Sequence, residues 1–114
     1  MKIESYSFGK MTVPGRTLIR DCQLFHETIV ENWRRQQGHF LAMNDLETSL
    51  AVTRPRVIVV GTGYFGMMQV APELIAVMQD RGIRLIVQKT TKAWKTYNEM
   101  YDQENVLGVF HLTC

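Results

Sequence analysis

Three glycines with the spacing G-x-G-x-x-G occur in the segment Gly61–Gly66, directly after the β-branched run Val57–Val60. Pro72 then opens an apolar-periodic segment, so the local order is strand, glycine loop and helix. A loop in this context can present main-chain amides to an anion such as a phosphate group. The sequence therefore predicts an anion-binding loop, formed by Gly61, Thr62, Gly63, Tyr64 and Gly66.

Two further segments carry polar groups that can join this loop. Lys89, Thr90 and Thr91 stand at the start of a predicted helix, where the positive end of the helix dipole and an ammonium group both favour an anion. His111 and Cys114 lie at the end of the sequence and offer an imidazole and a thiol as accessory groups. Since the carboxyl ends of parallel strands meet at one sheet edge, we expect the three segments to converge there.

The glycine spacing does not predict a nicotinamide or flavin site. In such a site the helix begins within the motif, whereas Pro72 places the helix start several residues after Gly66. Gln88 and Lys89 follow the next strand, where an acidic residue would hold a ribose. The alternative interpretation is that the glycines let the loop turn back over the sheet edge, and no cofactor is expected.

The histidines and cysteines do not predict a metal site or a catalytic residue. His26, His39 and His111 are scattered and lack a metal-ligand spacing, so hydrogen-bonded structural roles are the simpler interpretation. Cys114 with His111 suggests a nucleophile and its base, but a carboxylate beside the thiol would oppose thiolate formation. We expect no catalytic residues and no metal ligands.

The first half of the chain has weaker signals. Pro14-Gly15 is a turn signal between two extended runs, which predicts an N-terminal β-hairpin. Ile29, Val30 and Trp33 have a spacing that suits one or two helical turns within His26–Gln37. A short extended piece is predicted at His39–Leu41, and a short helix over Leu46–Val52, capped by Asn44 or Asp45 and ended by Arg54-Pro55.

The second half reads β-α-β-α-β, with elements at Val57–Val60, Pro72–Arg81, Ile83–Gln88, Thr91–Tyr101 and Val106–Leu112. Thr90 or Thr91 is the expected cap of the last helix, and Gly82 the expected C′ residue of the one before it. Short right-handed crossovers make the three strands parallel. We predict a single α/β domain over residues 1–114. It has three layers, a central mixed sheet with a parallel βαβαβ C-terminal half, and an N-terminal β-hairpin layer.

Composition sets the broad class of protein. Hydrophobic residues make up 46% of the 114 residues, charged residues 21%, and the formal net charge is +2, which is typical of a globular domain. The arginines Arg34, Arg35, Arg54 and Arg56 are interpreted as solvated, so no nucleic-acid or membrane binding is expected. The sequence shows no secretory signal and only two cysteines, Cys22 and Cys114, which predicts a reducing, cytoplasmic location.

A set of short motifs spread along the chain resembles a known family. They are Ser7-Phe8-Gly9-Lys10-Met11, Asp21-Cys22, Val59-Val60-Gly61-Thr62-Gly63, Arg81-Gly82-Ile83, Lys89-Thr90, Ala93, Tyr97-Asn98 and His111-Leu112-Thr113-Cys114. The sequence is similar to the small domain-of-unknown-function family that includes mitochondrial complex I assembly factor three and the adipogenesis-associated domain protein. The resemblance implies a three-layered α/β fold, no transferable catalytic residues, and a role in assembly or regulation through protein contacts.

Two classes of function follow. The favoured prediction is a small, non-enzymatic interaction or assembly-type module with a protein partner, compatible with weak homo-oligomers. The alternative is a protein that binds a small anionic ligand, or a weak enzyme, which uses the loop Gly61–Gly66. The sequence feature that favours the first class is the lack of any converging acid–base pair or metal set.

Overall fold

A computed structural model describes residues 1–114. The strands are β1 Ser5–Ser7, β2 Lys10–Val13, β3 Arg16–Leu18, β4 Cys22–Phe25, β5 Thr28–Val30, β6 Phe40–Leu41, β7 Val57–Thr62, β8 Gln69–Val70, β9 Arg84–Gln88 and β10 Val106–His111. The α-helices are α1 Glu47–Thr53, α2 Pro72–Asp80 and α3 Thr90–Met100, and a single 3₁₀ turn covers Met43–Asp45.

The central sheet is mixed and has the strand order β5-β4-β10-β7-β9. Strand β7 lies between β10 and β9 and pairs with both in parallel, while β4 pairs with β10 antiparallel. All six residues of β7 and of β10 are buried, as expected for strands that are covered on both faces. The predicted parallel βαβαβ half is therefore confirmed.

Two hydrophobic cores lie on the two faces of the central sheet, which gives three layers. On one face, α3 and the N-terminal sheet pack against side chains such as Val59 and Phe110. On the other face, α1, α2 and the short strand pair β6–β8 cover Ile58, Val60 and Val109. Because neighbouring residues of a strand point to opposite faces, one apolar run such as Val57–Val60 supplies both cores.

The N-terminal layer is more elaborate than the predicted hairpin. Strands β1, β2 and β3 form a separate antiparallel sheet, with the turn Pro14-Gly15 between β2 and β3 as expected. The second extended run, Arg16–Phe25, is split. Its first part is β3, and its second part, β4, crosses to the central sheet and pairs with β10. The run thus connects two layers, which its apolar pattern did not indicate.

The predicted helical turns within His26–Gln37 are wrong. Thr28–Val30 form β5, which pairs with β4 through a tight turn at His26 and Glu27. His26 has a φ of 51°, the left-handed conformation that two-residue hairpin turns use. The β-branched residues Thr28, Ile29 and Val30 favour a strand, and this preference together with pairing to β4 outweighs the weak helical spacing.

The helices agree with prediction to within about one residue, but two caps differ. Asp45 accepts from the Ala42 amide (2.8 Å) and so caps the 3₁₀ turn, while Leu46 is the N-cap of α1. Lys89 is the N-cap of α3 in place of Thr90 or Thr91, because the Thr90 hydroxyl is engaged elsewhere. Pro72 opens α2 as predicted, and Gly82 after it has a φ of 69°.

Candidate functional site

The glycine motif is partly strand and partly turn. Gly61 and Thr62 belong to β7 and pair with Phe110 and His111 of β10, so the loop proper begins at Gly63. The Gly63 amide donates to Thr90 Oγ1 (2.8 Å), and the Tyr64 amide donates to the Thr113 carbonyl (2.7 Å). Three of the amides in the predicted anion loop, those of Gly63, Tyr64 and Gly66, are therefore used within the chain.

Thr90 connects the three segments that the sequence predicted to converge. Its hydroxyl is fully buried, accepts from the Gly63 amide and donates to the His111 carbonyl (2.7 Å). Its own amide donates to the Gly63 carbonyl (3.1 Å). Thr62, Gly63, Thr90 and His111 thus form one hydrogen-bonded edge at the carboxyl ends of the parallel strands.

Lys89 and Thr91 lie at the surface of this edge. The stem of Lys89 runs close to Gly66, since a Cβ added there would lie 3.1 Å from Lys89 Cγ and 3.3 Å from Lys89 Cε. The ion pairs of the chain do not include Lys89, so no carboxylate lies within 4 Å of its ammonium. Lys89, Thr91 and Tyr64 are the exposed members of the predicted anion site, and among them only Lys89 carries a positive charge.

A buried ion cluster lies just below the same edge. Asp21 Oδ2 accepts from Arg35 Nη2 (2.7 Å) and from His111 Nδ1 (2.7 Å), while Asp21 Oδ1 accepts from the Leu112 amide (2.7 Å). The side chains of Arg35 and His111 are only 3% and 6% exposed. Because a carboxylate only accepts, His111 Nδ1 carries the proton of this contact. We call Asp21, Arg35 and His111 the ion cluster.

Asp21 is ionised throughout the neutral range. Burial alone would raise its pKa, but the hydrogen bonds from His111, the Leu112 amide and Arg35 outweigh burial, so the pKa lies below its usual value. Two buried polar atoms of the cluster, His111 Nε2 and Arg35 Nη1, lack a partner in the chain. The ring of the exposed His39 covers His111 edge-on at 5.4 Å.

The sequence predicts His111 as an accessory residue and a solvated Arg35. The interpretation of Arg35 is wrong, because its guanidinium is buried against Asp21 and donates to the Gly38 carbonyl (2.7 Å). Arg34, its neighbour, is exposed as expected. A basic pair in a sequence does not indicate which of its members faces inward.

Four exposed apolar side chains lie in and beside the glycine loop, and three of them are aromatic rings in mutual contact. Tyr64 lies against Phe8 (ring centroids 5.9 Å apart) and Phe65 (5.0 Å), and Phe8 also contacts Phe65 (6.1 Å). These three rings and the neighbouring Met67 are between 41% and 60% exposed. We call Phe8, Tyr64, Phe65 and Met67 the aromatic patch.

The aromatic patch is held in place from below. The Tyr6 ring packs against Tyr64 at 6.4 Å, and the Tyr6 hydroxyl donates to the Leu112 carbonyl (2.8 Å). Burial, with smaller contributions from Tyr64 and Asp21, raises the pKa of Tyr6 to about 12, so this hydroxyl keeps its proton. The Met67 amide donates to the Cys114 carbonyl (2.9 Å), which ties the far end of the loop to the last residue.

The remaining candidate groups do not form a catalytic set. Cys22 is buried, and burial raises the pKa of its thiol to about 12, which opposes a nucleophilic thiolate. Cys114 is half-buried, and its carbonyl contacts the glycine loop. The chain contains no cluster of three or more histidine, cysteine or acidic side chains placed to hold a metal ion. None of its helices has the length and apolar character required to cross a membrane.

The fold and this site can be compared with known proteins. A conserved hypothetical protein from Pyrococcus horikoshii OT3 has a crystal structure that superposes with a TM-score of 0.84 and 28% identity, over 100% of both chains. The NADH dehydrogenase [ubiquinone] 1 alpha subcomplex assembly factor 3 of Mus musculus is 31% identical over 93% of this chain and 57% of its own length. That of Bos taurus is 31% identical over 95% of this chain and 58% of its own length.

The chain thus spans under three-fifths of the curated relatives that it matches. Residues 3–111 match the family described as "Protein of unknown function (DUF498/DUF598)". This match covers nearly the whole chain and confirms the resemblance indicated by the short motifs. The chain belongs to the DUF498/DUF598 family.

Proposed function

We propose that this chain is a non-enzymatic interaction module of the assembly type, which binds a protein partner through the aromatic patch. The observation that carries the proposal is the patch itself, with three mutually contacting rings and Met67, all exposed at one sheet edge. Single exposed apolar side chains are ordinary on a protein surface, whereas a contiguous group of them is typical of an interaction site. Aromatic residues and methionine are also enriched where partner proteins meet.

The rigid support of the patch favours tight binding. Tyr64 is fixed by its amide bond to Thr113 and by the packing of its ring on Tyr6. A surface that is already ordered loses less conformational entropy when a partner covers it. The assembly role named in the two mammalian relatives supports a protein as the partner. A cytoplasmic location is also part of the proposal.

We expect the patch to be required for partner capture. The chain carrying Phe8→Ser and Phe65→Ser should retain a partner at least about tenfold less well than the unmodified chain, since removal of a central aromatic contact costs 2 kcal/mol or more. The measurement is affinity capture from the source cells with quantitative mass spectrometry. Sedimentation of the purified chain shows whether a second copy is the partner.

The matched control is the double change Ile19→Ser and Val52→Ser. Both side chains are apolar and more exposed than the patch residues, at 62% and 79%, but they lie outside the patch. This control should retain the partner at the level of the unmodified chain. Equal loss in both variants, or no loss in the patch variant, would contradict a role for the aromatic patch.

A second candidate function, small-anion binding, is favoured by the unpaired Lys89 at the N-cap of α3. We expect weak binding of phosphate or sulfate between Lys89 and the glycine loop. Only one ammonium is present, and the dipole of an exposed helix end contributes only about 0.3–1 kcal/mol. Phosphate titration followed by amide NMR shifts of Gly61, Gly63 and Thr91 measures it. Unchanged shifts at these amides, or unchanged binding after Lys89→Ala, would exclude this function.

A further inference from the structure

Four arginines lie at the opposite edge of the central sheet, where the parallel strands begin. Arg54 follows α1, Arg81 follows α2, Arg56 precedes β7 and Arg84 opens β9. All four are exposed, and the Arg84 amide donates to the Arg56 carbonyl (3.0 Å), which places these two side by side. None of the four takes part in an ion pair of the chain, so none has a carboxylate within 4 Å of its guanidinium.

Two open cavities meet at Arg81. The first, of about 540 Å³, lies between α1 and α2, and its lining includes Met43, Glu47, Leu50, Arg54, Val77 and Arg81. The second, of about 370 Å³, lies where β7 and β9 begin, and its charged lining residues are Arg56, Arg81, Arg84 and Glu104. We call the two cavities and their four arginines the arginine groove.

The charges of the groove are unbalanced. Four guanidinium groups face two carboxylates, those of Glu47 and Glu104, and neither carboxylate pairs with an arginine. Arg54 and Arg81 follow the C-termini of α1 and α2, where a positive charge stabilises the helix, so this structural role can explain both. It does not account for Arg56 and Arg84, which stand where strands start. Like charges placed together favour an anion that lies between them.

We infer that the arginine groove binds an acidic peptide segment that also carries an apolar side chain. Guanidinium groups match carboxylates through paired hydrogen bonds, so they suit glutamate and aspartate side chains. Met43, Leu50 and Val77 form an apolar floor in the first cavity that would contact an apolar side chain of the same segment. A nucleic-acid backbone would leave that floor unused. This site lies at the other sheet edge from the aromatic patch and does not depend on it.

The test uses fluorescence anisotropy with a labelled peptide in which glutamates flank two leucines. We expect this peptide to bind about tenfold more tightly than an all-glutamate peptide of equal length, since removal of a leucine side chain from water onto the apolar floor favours binding. Arg54→Asn with Arg81→Gln should weaken its binding about tenfold, with asparagine keeping the left-handed conformation of residue 54. Circular dichroism confirms that the variant is folded.

The control, Arg20→Gln with Arg34→Gln, removes the same charge from two exposed arginines outside the groove and should change the affinity less than about threefold. If this control loses as much affinity as the groove variant, only net charge matters and the inference fails. It also fails if the all-glutamate peptide binds equally well, or if neither peptide binds. Tighter binding of single-stranded DNA or of phosphatidylserine vesicles would overturn it in favour of another class of partner.

Discussion

Replacement of Asp21 by asparagine should destabilise the chain by about 3–5 kcal/mol. The change leaves the buried Arg35 without its counter-charge, and loss of one partner from a buried ion pair carries a cost of this size. In either orientation, the NH2 group of the asparagine would face a donor: Arg35 Nη2 and His111 Nδ1 in one, and the Leu112 amide in the other. Urea unfolding at neutral pH measures the difference in free energy of unfolding.

The same change should alter the response to acid. The pKa of Asp21 is lowered in the folded chain, so its stabilising effect is present above the unfolded value of about 3.9 and is lost as the pH falls through the folded pKa. The unmodified chain should therefore lose stability more steeply than the Asp21→Asn variant below about pH 4. Parallel pH profiles for the two chains would contradict this assignment of the ion cluster.

Glu31→Gln is the matched control for Asp21. Glu31 pairs with Arg16 at the surface, and both side chains are 47% exposed. Because solvent screens such a pair, the change should alter the free energy of unfolding by no more than about 1 kcal/mol. If both variants lose a similar amount of free energy of unfolding, the burial of the ion cluster does not determine how much it stabilises the chain.

Gly63→Ala should be the most disruptive single methyl addition among the glycines of the motif. Gly63 has a φ of +106°, which an L-residue adopts at a cost of roughly 1–3 kcal/mol. The added Cβ would lie 2.3 Å from the Cys114 carbonyl carbon and 2.8 Å from His111 Cδ2. The chain end would have to move, which would break the hydrogen bonds from Tyr64 and Met67 to Thr113 and Cys114. We expect a total loss of about 3 kcal/mol or more in urea unfolding.

Gly15→Ala separates the two causes of this loss. Gly15 also has a positive φ, 78°, but no atom lies within 4 Å of an added Cβ. Only the backbone strain remains there, so we expect a loss of about 1–2 kcal/mol. If the two alanine variants are equally stable, the close approach of Cys114 to Gly63 does not constrain the loop.

The parallel half of the fold could be predicted because its signals are local. Val57–Val60 and Val106–Phe110 are apolar runs without polar interruption, and Pro72 and Gly82 mark the ends of α2 by their own backbone preferences. The positions of the carboxyl ends of three parallel strands follow from that order alone. The convergence of Gly63, Thr90 and His111 was predictable for this reason.

The ion cluster was not predictable in the same way. Asp21 and His111 are 90 residues apart, and their contact exists because β4 leaves the N-terminal layer and pairs with β10. Nothing in the run Arg16–Phe25 indicates where it changes sheets. The weak helical spacing before Arg35 was misleading, because the residues around Arg35 form a loop. The inward direction of the Arg35 side chain depends on the course of this loop, which only the tertiary structure defines.

The glycine motif shows how tertiary contacts change the meaning of a local pattern. Three glycines after a strand predict a loop with free amides, but in the folded chain Thr90 accepts from the Gly63 amide and Thr113 accepts from the Tyr64 amide. Those acceptors come from other elements, so the motif carries no sign of them. The aromatic patch was likewise hidden, because Phe8 joins Tyr64 and Phe65 only when the N-terminal sheet packs beside β7.

Site-specific photo-crosslinking tests the proposed interaction surface most directly. Benzoylphenylalanine placed at Phe65 in the source cells should form a covalent adduct with a partner protein or a second copy, because that side chain is the most exposed of the aromatic patch, at 60%, and contacts both other rings. The same group placed at Val52, which is 79% exposed on α1 and on the other face of the central sheet from the N-terminal sheet, should form no adduct of comparable yield. Equal adducts at both positions, or an adduct at Val52 alone, would contradict the account.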